Sequence, residues 1–171
     1  MRIERLIRAF LVAATALSLA LPTTASAIIK KGDPAPSLKV VTLSGQNVTL
    51  ANYKGHVLIL DFFATWCAPC RISIPHFISL NRKYNKQGLE ILGMSADEDG
   101  DKAAVKEFVA EKKINYPVAI AGDEMTTDYG IRSLPTVYVI NKKGVIVEKY
   151  MGFNDDMAKS MEALIKKLLA E

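Results

Sequence analysis

The sequence predicts an α/β fold, a mixed sheet with helices on both faces, and three features carry that expectation. Apolar runs of strand length alternate with helical segments whose apolar residues recur roughly every three or four positions. The chain closes on two strands joined by a tight turn and then an amphipathic helix. Its 171 residues, 50% of them apolar, suit one domain with a sizeable core rather than two small ones.

The elements follow in order. Lys30 to Pro36 is a polar, proline-rich extended lead-in. Leu38 to Leu43 and Gln46 to Leu50 alternate in strand fashion around Ser44-Gly45, which predicts an N-terminal β-hairpin. His56 to Phe63 is a central strand, apolar on both faces. Ala68 to Lys86 has helical periodicity, with a kink expected at Pro75 and a stop at Gly88. Leu89 to Ser95 is a second buried strand. Asp101 to Lys113 is a surface helix with Ala104, Val105, Phe108 and Val109 on its apolar face, and Tyr116 to Ile120 is a short strand. Thr126 to Gly130 is a helical turn. Thr136 to Ile140 and Val145 to Tyr150 are strands hinged at Asn141-Lys142-Lys143-Gly144, and Asp155 to Ala170 is the last helix. Its apolar stripe (Met157, Met161, Leu164, Ile165, Leu168, Leu169) fits core packing better than a membrane surface.

Residues 1–27 have the pattern of a secretory signal peptide. Arg2, Arg5 and Arg8 precede the apolar run Phe10 to Leu21, Pro22 breaks it, and Ala25-Ser26-Ala27 is a small-residue cleavage pattern. The alternative is an uncleaved anchor. The remaining domain would span residues 28–171, with no stable membrane insertion after cleavage, in an exported, periplasmic or otherwise extracytoplasmic setting that permits disulfides. Those arginines and Glu4 account for a net +2 of the formal +4, leaving too weak and dispersed a charge for nucleic-acid binding.

Both cysteines of the chain lie in Trp66-Cys67-Ala68-Pro69-Cys70, just after the central strand and at the start of a helix. Three residues apart on a helical turn, their Cα atoms would lie roughly 5–6 Å apart, a separation that a disulfide accepts. The helix N-terminus favours negative charge and biases the leading thiol toward thiolate. Thiol–disulfide exchange follows, with Cys67–Cys70 as the redox-active disulfide. A purely structural disulfide closing so short a loop would remove little entropy from the unfolded chain. A zinc site lacks ligands, since only His56 and His76 remain and neither has ligand spacing, so no metal is expected there. Arg71 stands where haem attachment would need histidine.

Two further residues draw attention. Asp61 interrupts an apolar strand; burial would raise its pKa and fit it to take a proton from a thiol, whereas an exposed strand end or a lysine partner would make it ordinary. Pro135 opens a strand, which plain geometry allows. A cis bond there would instead free the backbone of Leu134 to pair with an extended substrate.

The motifs Gly32-Asp33-Pro34-Ala35-Pro36, Asp61 to Cys70, Tyr129 to Thr136 and, more weakly, Tyr150-Met151-Gly152 resemble the thioredoxin superfamily. Within it they are similar to the exported TlpA/ResA-like disulfide reductases, a group that includes cytochrome c maturation thioredoxins. The resemblance runs from about Gly32 to the C-terminus. It implies a thioredoxin-like mixed sheet with an N-terminal β-hairpin extension and a central helix–strand insertion over Asp101 to Ile120. It also implies that Cys67 is the nucleophile, Cys70 the resolving thiol, Asp61 the buried acid and Pro135 the cis-proline. Trp66, Leu134 and Gly152 would join Pro135 in the substrate groove. No cofactor is implied. Protein disulfides would be the substrates, with a membrane thiol reductase as electron donor. The chain departs from the group in having Ser73 where many members have glutamate, in keeping Asp61 where many have asparagine, and in placing Gly93 near the lysine that partners the acid in thioredoxin.

Two other activities fit less well. A thiol-based copper chaperone suits a cysteine pair, but no Met- or His-rich flank assists it. A peroxiredoxin-type peroxidase shares the fold and resembles Ile91 to Ser95, but that family's threonine is replaced by Ala64.

Overall fold

Five strands form the main sheet of the computed structural model, which describes residues 29–98 and 101–171. The expected signal peptide and the first residue of the expected domain lie outside the described residues. A two-stranded hairpin, β1 (Lys39–Val41) and β2 (Asn47–Thr49), precedes the main sheet. The sheet comprises β3 (Val57–Phe63), β4 (Leu89–Ser95), β5 (Val118–Ile120), β6 (Thr136–Ile140) and β7 (Ile146–Met151), in the order β5-β4-β3-β6-β7. The pairs β3–β4 and β4–β5 are parallel, while β3–β6 and β6–β7 are antiparallel. The sheet is therefore mixed, and β3 lies at its centre.

Burial explains the composition of β3. All seven of its residues are buried, so the strand carries apolar side chains on both faces, apart from Asp61. Val57, Ile59 and Phe63 enter one core layer; Leu58, Leu60 and Phe62 enter the other. The first layer is roofed by α1 (Ala68–Tyr84), α2 (Lys102–Glu111) and α4 (Asp155–Ala170) through Ile74, Phe77, Val105, Phe108, Met161 and Ile165. The second is covered by α3 (Gly122–Asp128), the hairpin and the segment around Tyr53.

Local chemistry sets the element ends. Pro75 lies inside α1, which continues past it to Tyr84. A 3-10 turn (Asn85–Gln87) and Gly88, at φ 100°, then reverse the chain into β4, so the helix ends two residues before the expected Lys86. Asn154 caps α4 by accepting from the Met157 amide at 2.8 Å, with Asp155 and Asp156 in the first turn complementing the helix dipole. The turn expected over Thr126 to Gly130 is instead α3, four residues earlier at its start. Asp123 and Glu124 in its first turn favour that earlier beginning, and Met125 is its buried anchor.

The lead-in closes both sheet edges. Gly32 donates to the Ile146 carbonyl at 2.8 Å beside β7, and Leu43 donates to Val118 at 2.7 Å beside β5. Such straps protect edges that would otherwise invite another chain.

Candidate active site

Cys67 is the N-cap of α1, and Pro69 occupies its first turn, where a missing N–H costs no helical bond. Cys67 and Cys70 are joined as a disulfide with Cα atoms 5.3 Å apart. The Cys70 amide donates to the Cys67 sulfur at 3.3 Å. When the bond is reduced, this donor and the helix N-terminus favour charge on the leading sulfur. Cys67 keeps 5% of its surface and Cys70 none, so only the first sulfur reaches the outside.

The approach to Cys67 is a groove of about 560 Å³ bounded by Trp66, Pro69, Ile131 and Leu134. Trp66 is 71% exposed, a large apolar surface beside the sulfur. The Leu134–Pro135 bond is cis, Pro135 is buried and Leu134 lines the groove. Gly152, at φ 80°, donates its amide to the Pro135 carbonyl at 2.8 Å, which ties the end of β7 to the proline loop. The fold thus brings Trp66 and Leu134, distant in sequence, into one groove with Cys67, and ties Gly152 to Pro135, the residue after Leu134.

The loop ahead of Cys67 is held by groups that no sequence signal singles out. The Asp97 carboxylate accepts from the Thr65 amide at 3.0 Å, the Thr65 hydroxyl at 2.7 Å and the Ser95 hydroxyl at 2.5 Å. Arg71 reaches back to the Thr65 carbonyl through two N–H donors at 3.0 and 2.8 Å. Only pairing of β3 with β4 brings Asp97 to Thr65, so no local spacing announces the contact. Ser73 is buried and donates to the Cys70 carbonyl at 3.0 Å. That bond leaves it a structural hydroxyl.

Asp61 is fully buried, which removes the reading of an acid at an exposed strand end. Strand alternation places it between Ile59 and Phe63 on the face whose core layer contains Cys70. Neither carboxyl oxygen has a hydrogen-bond partner among the described residues. Burial pushes its pKa up to about 7. No lysine stands across from it. Its partner in the β3–β4 register is Gly93, where an added Cβ would lie 3.0 Å from Val118, 3.2 Å from the Phe63 ring and 3.3 Å from the Tyr116 ring. Those side chains fill the space that a longer residue at this position would take.

Comparison with known proteins agrees with this geometry. The Redoxin family model matches residues 30–165. The thiol-disulfide oxidoreductase ResA of Bacillus thuringiensis subsp. konkukian is 36% identical over 138 residues, covering 80% of this chain and 78% of its own length. ResA of Bacillus subtilis is 31% identical over 140 residues, covering 81% of this chain and 77% of its own. A crystal structure of a thiol:disulfide interchange protein of the thioredoxin family from Chlorobium tepidum superposes with a TM-score of 0.72 at 28% identity, covering 82% of this chain and 99% of that one. With a cysteine pair at the mouth of α1 and these relatives, the chain belongs to the Redoxin family, as a ResA-like thiol–disulfide oxidoreductase of the thioredoxin superfamily.

Proposed function

We propose that this protein reduces disulfides in other proteins outside the cytoplasm, with cytochrome c maturation among the pathways that need such a reductant. The observation that carries the reading is a disulfide whose first cysteine lines an apolar groove and whose second is buried in the core layer on the face where Asp61 stands, an acid that burial shifts up to about 7. The signal-peptide pattern of residues 1–27 supports export, and residues 28–171 form the working domain. No helix among the described residues is long and apolar enough to cross a membrane.

The reaction runs in two exchanges. In the reduced protein the Cys67 thiolate attacks one sulfur of a substrate disulfide, forms a mixed disulfide and expels the other substrate sulfur as thiolate. The Cys70 thiol then gives its proton to the ionised Asp61 carboxylate and attacks the Cys67 sulfur. The Cys67–substrate bond breaks, and the second substrate sulfur leaves and is protonated. Two electrons have moved to the substrate, and the protein is left with the Cys67–Cys70 bond. A membrane thiol reductase returns two electrons by the same exchange in reverse. Trp66, Leu134, Pro135 and Gly152 hold the substrate segment against Cys67, with the Leu134 backbone available to pair with an extended strand.

The test is Cys70→Ala, which removes the resolving thiol and should accumulate reducible covalent adducts with exported proteins. Their absence would refute the two-step exchange. Asp61→Asn should slow release of the mixed disulfide by about 100-fold while leaving its formation nearly unchanged. A reduction potential below about −230 mV would fit a reductant, and one near −120 mV would make the protein an oxidant.

A further inference from the structure

Behind the disulfide, the thiol-side core layer holds a second buried polar group that lacks a partner. The Tyr116 hydroxyl is buried and makes no hydrogen bond to any described residue, as is true of both Asp61 oxygens. Leaving such groups unpaired in a packed interior costs roughly 1–3 kcal/mol each, so two orphans in one layer call for a common explanation. The other tyrosines of this layer are bonded: Tyr84 donates to Glu162 at 2.6 Å, and the Tyr150 hydroxyl pairs with Ser160 at 3.3 Å.

Register places the two orphans together. Asp61 and Gly93 are opposed across β3 and β4, so they share a face with their Cβ positions about 5 Å apart. The Tyr116 ring edge, through Cε2 next to the carbon that bears the hydroxyl, comes within 3.3 Å of the Gly93 Cβ position. The ring therefore lies over the residue directly beside Asp61. The hydroxyl and the carboxyl are not in direct hydrogen-bond contact, so from there one bridging water would link them.

Building on the assignment of Asp61 as proton acceptor for Cys70, we propose that Tyr116 is a positioning residue whose hydroxyl donates, through one bridging water, to the ionised Asp61 carboxylate. Tyr116 thereby does the work of the missing lysine, without its positive charge. A donor to the charged form favours ionisation and offsets part of the desolvation, keeping Asp61 a usable base near neutral pH. Burial, with the Asp61 charge adding to it, holds the Tyr116 phenol protonated well above its ordinary range, so it stays a donor while Asp61 titrates.

The surroundings leave few other candidates. From α1 the titratable groups on this side are Cys67, Cys70, Tyr84 and His76, whose buried Nε2 also has no partner among the described residues and whose ring stands against Phe77 and Phe153; from β7 comes Tyr150 and from α4 Glu162, which accepts from Tyr84. From α4 come Met161, Ile165 and Leu168, and from α2 Val105 and Phe108. The nearby cations are Arg71 and Lys112, which lie over the Phe108 ring at 5.1 and 5.8 Å from its centroid.

The experiment follows the release step of the mixed disulfide, formed between the reduced full chain and an oxidised test peptide, as a function of pH. In Tyr116→Phe the acid limb of the rate profile should move up by about one pH unit, the size of one lost hydrogen bond to a charged group. In an Asp61→Asn background, Tyr116→Phe should cause no shift. The infrared carbonyl band of protonated Asp61, identified by its loss in Asp61→Asn, should shift in Tyr116→Phe. An unmoved limb and band in Tyr116→Phe, with a limb that vanishes in Asp61→Asn, overturns the tyrosine assignment and leaves Asp61 in place. A limb that persists in Asp61→Asn overturns the earlier reading and this one with it. Equal shifts in Tyr84→Phe or Tyr150→Phe would mean a general core disturbance and also overturn it.

Discussion

The two faces of the sheet differ in how their most central buried polar groups are satisfied. On the face away from the thiols, Tyr129 donates to the Pro36 carbonyl at 2.9 Å and Tyr138 to the Tyr129 carbonyl at 2.5 Å. Their rings pack with Phe62 at centroid separations of 5.4 and 6.4 Å. On the thiol face, Tyr116 and Asp61 are equally buried, and their polar atoms have no partner among the described residues. On the first face these two hydroxyls link Pro36 of the lead-in to Tyr129, and Tyr129 to β6. The other stores unmet polar demand beside a disulfide. An unpaired buried carboxyl fits the proton acceptor proposed above, since a carboxylate fully committed to structural donors would be a weaker base.

This contrast can be broken or sharpened by four measurements. The largest effect is expected at Asp61. Burial lifts its pKa from an ordinary 3.8 to about 7 in the fold, so the folded state keeps a proton that the unfolded chain has already lost. The stabilisation from that proton is fully present below about pH 4, declines as pH rises, and is gone above about pH 7, on the order of 4 kcal/mol in all. Chemical unfolding of Asp61→Asn across that interval should show this slope removed. An unchanged slope would mean that Asp61 is not the strained group of this face.

Next in size is Gly93→Ala. The added methyl would sit 3.0 Å from Val118 and 3.2–3.3 Å from the Phe63 and Tyr116 rings, an overpacking expected to cost about 1–3 kcal/mol. A neutral result would show that the space over Asp61 is looser than the structure has it. On the opposite face, Tyr138→Phe deletes the donor to the Tyr129 carbonyl and should lower stability by about 1–2 kcal/mol, read as a shifted denaturant midpoint. Tyr116→Phe, the same chemical change on the thiol face, should alter stability by less than about 1 kcal/mol, because no direct hydrogen bond to another protein group is lost. Equal costs for the two tyrosines would erase the distinction between the faces.

Much of the architecture is legible in the sequence because its causes are local. The apolar run of β3 reads as a central strand, and the Met157-to-Leu169 stripe marks α4 to the residue. The Asn141–Gly144 turn announces the β6–β7 hairpin. The start of α3 is not legible, since its only strong local signal is a pair of acids rather than a cap side chain. At the site, the cysteine pair is plain because both members share one helical turn. Tyr116 and Asp97 escape a reading of the sequence because only the folded sheet brings the Tyr116 ring near Gly93 and Asp97 to Thr65.

The sequence by itself determined the reaction chemistry: two thiols on the first turn of a helix, next to a buried strand carrying one acid. Tertiary structure alone decided the environment of that acid. Strand register set Gly93 beside Asp61, chain packing laid the Tyr116 ring over the gap, and the fold withheld every lysine from the place. The physical reason is range. Helix turns and strand alternation act over a few residues and can be read along the chain, whereas desolvation and hydrogen-bond supply depend on side chains that only the folded sheet brings together.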